Sequence, residues 1–280
     1  MVWRLARIHH RMDEFADTMT YRKPSKKRRA KTRRHKRWTW ARVRNTVLTL
    51  LFLVLLWRLV SPGTFSSVFS WIGFSSETST GQYDGIDVSK HNGKIDWKKV
   101  ADNKRIQFVY IKATEGKSLS DHRYARNIKE ARKEGLKVGS YHFFTSRRSA
   151  KEQFENFRKR VDKRQQDLLP MIDVEEKGNR GCNREQLQES LREMMELMKA
   201  EYGKYPLIYS GHDFYNKYLA PEFNKHYLFL ARYGGEKPYI KGGGKWNIWQ
   251  YSETGHIEGI KGKVDLNRFA SGTTLNDISY

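Results

Sequence analysis

Four carboxylic acids fall where short β-type runs of the sequence end. Asp87 closes Gly-Ile-Asp-Val, Asp173 and Glu175 close Leu-Pro-Met-Ile-Asp-Val-Glu, and Asp265 lies in Lys-Val-Asp-Leu-Asn. Asp173 and Glu175 are two apart, so on a strand both side chains point to one face. Two neighbouring carboxylates repel, and burial penalises charge, so one of them is driven toward its protonated form. A proton-donating carboxyl beside one that stabilises a developing cation is what cleavage of a glycosidic bond requires. A single D-x-E carries little weight, but acids ending three different β-runs carry more. Local roles compete at each position. Asp87 suits an N-cap, Asp265 suits a cap or an ion pair with Arg268, and Glu176 faces away as a structural charge. Glu115 suits either a substrate contact or an ordering role in its loop.

The polar aromatics extend the same picture. Tyr141 and His142 end the third β-run, Tyr209 the fifth, Tyr233 follows the sixth, and Trp249, Gln250 and Tyr251 end the seventh. Rings at the mouth of a cleft stack on pyranose faces while their polar tips hydrogen-bond. Tyr141, Tyr209, Tyr233, Trp249, Gln250 and Lys112 are therefore the expected substrate contacts, and His142 reads as a satisfied core histidine. Other chemistries lack their parts. There is no G-x-S-x-G elbow and no H-E-x-x-H pair. Gly242-Gly-Gly-Lys245 is followed by Trp246 rather than Ser or Thr, so it is no phosphate loop. The nine histidines show no ligand spacing, and neither metal nor cofactor is expected. One cysteine, Cys182, excludes a disulfide framework, a zinc ribbon and an iron–sulfur site by count.

The elements that must position these side chains begin at Tyr83. The β-runs are 85–88, 108–112, 137–143, 168–174, 206–210, 227–231, 247–251 and 263–266. Helical segments lie between the first several. Asp96 is the N-cap of one, 121–133 carries Tyr124, Ile128 and Ala131 at helical spacing, and 149–165 and 184–203 are longer. In the last, Leu187, Leu191, Met194, Met195 and Met198 form an apolar stripe that reads as core packing. Repeated strand–helix alternation means parallel βαβ units. Three closing strands with short connections bring the count to eight. The expected fold is α/β, an irregular (β/α) TIM-like barrel of eight strands with about five helices, its chemistry at the C-terminal strand ends. Strands one and eight are neighbours in a closed barrel, which brings Asp87 toward Asp265.

Six ordered blocks now carry a resemblance. They are Gly85-Ile-Asp-Val-Ser-Lys-His-Asn-Gly-Lys-Ile-Asp-Trp97, Phe108-Val-Tyr-Ile-Lys-Ala-Thr-Glu-Gly116, Val138-Gly-Ser-Tyr-His-Phe143, Pro170-Met-Ile-Asp-Val-Glu175, Ile248-Trp-Gln-Tyr251 and Val264-Asp-Leu-Asn-Arg-Phe269. Together they resemble the glycoside hydrolase family 25 lysozymes, the Chalaropsis-type N-acetylmuramidases, over Tyr83 to Phe269. The resemblance implies an irregular (β/α) barrel that hydrolyses β-1,4 bonds between N-acetylmuramic acid and N-acetylglucosamine in peptidoglycan. It implies Glu175 as proton donor and Asp173 as the group that orients or stabilises the substrate's acetamido group or acts more directly. Asp87 and Asp265 match the two other acids of the cleft. One departure is His91-Asn92, where many members have a residue followed by Gln.

The N-terminal part has a different composition. The chain has 280 residues and a formal charge of +23. Residues 1–44 hold sixteen Lys/Arg and three acids, thirteen of those basic residues between 22 and 44 with no acid among them. Such a block has almost nothing to bury and repels itself. The uncharged run 45–57 follows, and with Arg58 and two apolar residues it extends to 60. At ~1.5 Å per residue this is slightly short of a ~30 Å hydrocarbon core, with Trp57 and Arg58 suited to the interface. The expected organisation is a basic cytoplasmic tail (1–44), a transmembrane signal anchor (45–60), a linker (61–82) and a catalytic domain (83–280). The basic flank places the N-terminus inside and the domain outside the cytoplasmic membrane. Expected partners are peptidoglycan glycan strands and, at the tail, anionic membrane lipids. Nucleic acid is not an expected partner, and the chain is expected to be a monomer. Two other readings stay open: a non-catalytic peptidoglycan-binding scaffold, and a protein whose basic tail is its main function.

Overall fold

A computed structural model describes residues 48–50 and 83–280. The chain divides into two units, Met1–Phe74 and Ser75–Tyr280. Of the first, residues 48–50 are helical, with Leu48 and Leu50 exposed. Among the described residues no helix is long and apolar enough to cross a membrane. The expected basic tail, the linker and all of the expected anchor but residues 48–50 lie outside the described residues.

In the second unit nine strands form one sheet. They are β1 (Gly85–Val88), β2 (Phe108–Glu115), β3 (Leu119–Ser120), β4 (Lys137–Phe143), β5 (Met171–Asp173), β6 (Leu207–Gly211), β7 (Leu228–Ala231), β8 (Ile248–Gly255) and β9 (Val264–Phe269). The order β1-β9-β8-β7-β6-β5-β4-β2 closes through pairing of β1 with β2, giving an eight-stranded barrel. The two-residue β3 is a hairpin extension of β2 outside that ring. Neighbours from β1 through β2 and β4 to β8 run parallel, whereas β9 is antiparallel to both β8 and β1. The short β8–β9 connection dictates this, because only an antiparallel partner can be reached without a crossover.

Alternation along each strand sorts the core into two layers. Inward residues Phe108, Tyr110, Met171, Leu207, Phe229 and Ile248 fill the barrel with Leu168, Leu169 and Ile278. Outward residues such as Ile86, Val109, Ile172, Ile208 and Leu230 pack under the helices. Space inside is tight: a Cβ at Gly85 would meet the Phe108 ring at 2.4 Å, and one at Gly139 would meet Tyr110 at 2.5 Å. The C-terminus plugs the base, since Leu169 N–H donates to the Ile278 carbonyl and Ser279 bridges to Leu168.

The helices are α1 (Trp97–Asp102), α2 (Tyr124–Lys133), α3 (Ala150–Arg158), α4 (Glu176–Asn179), α5 (Arg184–Tyr202) and a final turn α6 (His212–Phe214) that continues as a π-helix over Tyr215–Leu219. The apolar stripe of α5 is buried throughout, its N-terminus capped by Asn183 and its C-terminus ended by left-handed Gly203. Two expected helices are shorter than their patterns. α2 starts at Tyr124 because the Asp121 carboxylate is spent on the Lys90 and Arg123 amides. α3 stops at Arg158, and Asp162 caps a separate 3₁₀ turn over Lys163–Gln165.

Candidate active site

At the rim where the parallel strands end, the inward positions are polar or aromatic except for Ala231 of β7, and antiparallel β9 reaches this rim by its N-terminal end, where Asp265 lies. β1 supplies Asp87, β2 Lys112, β4 Tyr141, β5 Asp173, β6 Tyr209, β8 Gln250 and β9 both Asp265 and Asn267. β5 ends at Asp173, so the expected strand over 168–174 is shorter than its sequence pattern. Glu175 lies just beyond, still in extended backbone (φ −122°, ψ 164°), as the residue that precedes α4. That extension keeps it on the same side as Asp173 by the i, i+2 rule although the ladder has ended.

The four acids share one electrostatic environment. Asp87 and Asp265 are opposite each other in the β1–β9 register. The Asp87 Oδ2 accepts from Gln250 Nε2 at 2.9 Å and from Asn267 Nδ2 at 3.0 Å. Burial pushes the Asp87 carboxyl up, and those two amides and Asp265 pull it back down. Asp265 is pushed up to about 9, by burial first and then by the Asp87 charge with which it hydrogen-bonds. Two buried carboxyls this close favour sharing one proton, and the two amides that donate to Asp87 Oδ2 favour the charge on Asp87.

Asp173 is raised well above the ordinary carboxylate range by burial and by the charge of Glu175, with Lys112 opposing. Its Oδ1 is buried with no protein partner. Glu175 is raised by burial and by Asp87, and is held down by Lys177, Lys112 and the Tyr209 hydroxyl. Lys112 itself is anchored, with Nζ 2.8 Å from Glu115 Oε2 and 4.7 Å from the Phe143 ring centroid.

The aromatic expectations divide. Tyr141 and Tyr209 point inward beside the acids and are 8% exposed each, while Tyr233 stands at the mouth with 45% of its surface open. The Tyr209 and Tyr233 hydroxyls both donate to Gln250 Oε1. Gln250 is 1% exposed. It is placed as a buried brace that ties two tyrosines to Asp87. Trp249 takes the other face. It lies on the face of β8 opposite Gln250, its indole N–H donates to the Arg232 carbonyl at 2.8 Å, and its ring packs edge-on against Trp246 and Tyr251. That places it in the outer layer, away from the acids. His142 is a core residue, bonded to Thr114 and Gln153 and lowered to about 4 by burial. Asn267 was not among the expected site residues. Its signal was present in Val-Asp-Leu-Asn, two positions beyond Asp265 and hence on the same face.

Glu175 and Tyr233 line a hollow of about 680 Å³ with Lys177, Arg180 and Arg232 on its rim. Among the described residues no cluster of His, Cys, Asp or Glu is arranged to hold a metal ion. The arrangement can donate a proton, hold anionic and protonated carboxyls side by side, and stack a ring. That is the equipment of a carboxylate-dependent glycosidase.

The chain belongs to the glycosyl hydrolases family 25, whose family model matches residues 86–260, and it is a glycoside hydrolase. It is 40% identical over 189 residues to the uncharacterised protein YegX of Escherichia coli, covering 66% of this chain and 68% of that one. It is 30% identical to the autolytic lysozyme of Clostridium acetobutylicum, over 67% of this chain and 56% of that one. A family 25 glycosyl hydrolase from Bacillus anthracis has a similar structure, with TM-score 0.63 and 30% identity over 70% of this chain and 93% of that one.

Proposed function

We propose that the chain is a membrane-anchored muramidase that cleaves β-1,4 bonds between N-acetylmuramic acid and N-acetylglucosamine in peptidoglycan, acting as a monomer. The observation that carries this reading is the convergence of Asp87, Asp173, Glu175 and Asp265 at one end of the barrel, beside the open ring of Tyr233. Similarity to a lysozyme supports the choice of substrate.

Glu175, less buried than Asp173 and facing the hollow, gives its proton to the leaving oxygen as the C1–O bond breaks. Water supplies hydroxide to C1 and returns a proton to the site, so atoms balance. Asp173 lies one strand-repeat deeper, where it meets the acetamido group of the sugar being cut. Asp87, favoured as the anion by two amides and by the proton shared with Asp265, supplies the negative field that the developing oxocarbenium ion needs. Tyr141 and Tyr209 wall the cleft, Tyr233 stacks on a sugar ring, and Lys112 tempers the acids. The N-terminal charge pattern supports residues 22–44 resting on anionic lipid inside, 45–60 crossing the cytoplasmic membrane, and the domain outside.

The test is digestion of purified peptidoglycan by the full chain and by Glu175→Gln, with products reduced by borohydride and weighed. Reduced muramic acid ends from the wild type alone are expected. No new ends from the wild type, with binding to the wall retained, would replace a muramidase with a non-catalytic scaffold.

A further inference from the structure

Lys177 borders two hollows. One is the cavity that Glu175 lines, and the other, of about 470 Å³, lies between Glu115–Leu119 on one wall and Phe143–Arg148 on the other. The second hollow is cationic, lined by Lys117, Arg147, Arg148 and Lys177 against the single acid Glu115. Glu115 is already engaged by Lys112, and Lys117 has Glu152 at 3.6 Å. Among the described residues, no carboxylate lies within ion-pair distance of Arg147, Arg148 or Lys177. Like charges gathered in a concavity repel one another, and a low-dielectric wall focuses their field on whatever enters.

Both walls are held rigid from behind. The loop that carries the arginines is gripped by the fully buried Gln153. Its Oε1 accepts from Thr145 N–H at 2.9 Å, and its Nε2 donates to the Thr145 and Arg148 carbonyls. Asn179, also buried, accepts from Ser146 N–H at 2.7 Å, and the Thr145 hydroxyl donates to the Gly178 carbonyl. The opposite wall is gripped by Asn156, whose Nδ2 donates to the carbonyls of Glu115, Gly116 and Leu119. His142 bonds Gln153 in turn, which links this scaffold to the barrel. A cationic loop pinned by two buried amides, facing a wall pinned by a third, is pre-organised, so a ligand meets it without an ordering cost for the backbone.

We propose that this groove is a subsite for the carboxylate-bearing stem peptide that a peptidoglycan strand carries beside the bond being cut. The inference rests on the muramidase reading, because Lys177 borders both the groove and the Glu175 hollow, so a substituent of a sugar bound there has the groove beside it. A stem peptide offers several free carboxylates on a short flexible chain. Arg147 and Arg148 match them by forked, charge-assisted hydrogen bonds, and Lys177 by a point charge. The glycan backbone, whose lactyl carboxyls are tied up as amides wherever a stem peptide is attached, gives no such match.

The experiment compares the full chain with the charge-reversed Arg147→Glu/Arg148→Glu variant on two substrates, intact peptidoglycan and the same glycan stripped of peptides by an amidase. On intact substrate KM should rise about tenfold and the wild type's salt sensitivity should flatten, since charges at the rim of a site act through ionic attraction. On stripped glycan, where the amidase leaves only the lactyl carboxylate on each muramic acid and nothing that extends into the groove, the two proteins should cut at equal rates, which also shows that the variant is folded. Equal loss on both substrates, or no loss on either, overturns the subsite. If the wild type cuts neither substrate, the muramidase reading fails by itself. Calorimetric titration with a soluble stem peptide then decides the groove: heat from wild type that the variant lacks supports the subsite, and equal heats overturn it. Variant-sensitive binding of polyphosphate with none of stem peptide also overturns it, in favour of a phosphate polymer.

Discussion

A proton shared with Asp265 is what lets Asp87 keep its charge in a buried site. The consequence for stability has a definite sign. The Asp265 carboxyl is raised to about 9, so the folded chain binds this proton more tightly than the unfolded chain does. Its contribution is fully present below about pH 4, the free carboxyl value, and is lost as pH rises toward the folded value. In urea titrations from about pH 5 to 9, the midpoint of Asp265→Asn should fall less with pH than that of wild type; superposable curves would refute the protonated pair. Turnover should fall as pH rises through the raised value of Glu175, because only the protonated acid can donate. Lys112 holds Glu175 down. Lys112→Met should therefore move the alkaline limb of the pH–rate profile to higher pH, and a limb that stays put would remove Lys112 from the site's electrostatics. Gln250→Leu strips a donor from Asp87 and an acceptor from two tyrosines. We expect a fall in kcat of about tenfold or more with little change in KM, the mark of a positioning residue; unchanged kcat would count against the brace. The acids were legible as residues because strand periodicity fixes which face a side chain takes. The same rule, which the expected substrate contacts overlooked, holds for Trp249 and Gln250. They are adjacent and so must take opposite faces; Gln250 braces the site and Trp249 packs behind the barrel.

Helix α5 shows how much an element can declare by itself. Its apolar positions recur at helical spacing, Asn183 accepts from Gln186 N–H at 3.0 Å, and Gly203 stops it in the left-handed region. Asn183→Ala should cost about 1 kcal/mol by loss of the cap. Met194→Ala, which opens a hole under the fully buried stripe, should cost about 2–5 kcal/mol. Denaturant unfolding measures both, and a cap loss larger than the core loss would contradict this division. The shortfalls in sequence reading were at ends where a side chain had two employers. Asp121 looks like a helix start but serves two loop amides, and Asp162 restarts a turn inside what reads as one helix. The strand β9 reads as four residues, but it continues to Phe269 because partners on both sides extend its ladder, and pairing is invisible in a linear pattern.

At the scale of the whole molecule, charge is unevenly placed, +13 of the +23 lying in residues 1–44. The full chain should bind vesicles containing anionic lipid more tightly than it binds DNA at physiological salt, and Lys/Arg→Gln changes across residues 22–44 should weaken that binding. Preference for DNA would reassign the tail. The barrel has its own large-scale property in the way it closes. Strand β9, near the end of the chain, stands between β1 and β8, and Ile278 helps to fill the interior. The first strand to be made must therefore wait for the last, and two of the residues on that last strand, Asp265 and Asn267, complete the setting of Asp87. A nascent chain that still lacks β9 has no finished cleft. The hydrolase stays inert until that strand has been made, a timer written into the order of its strands.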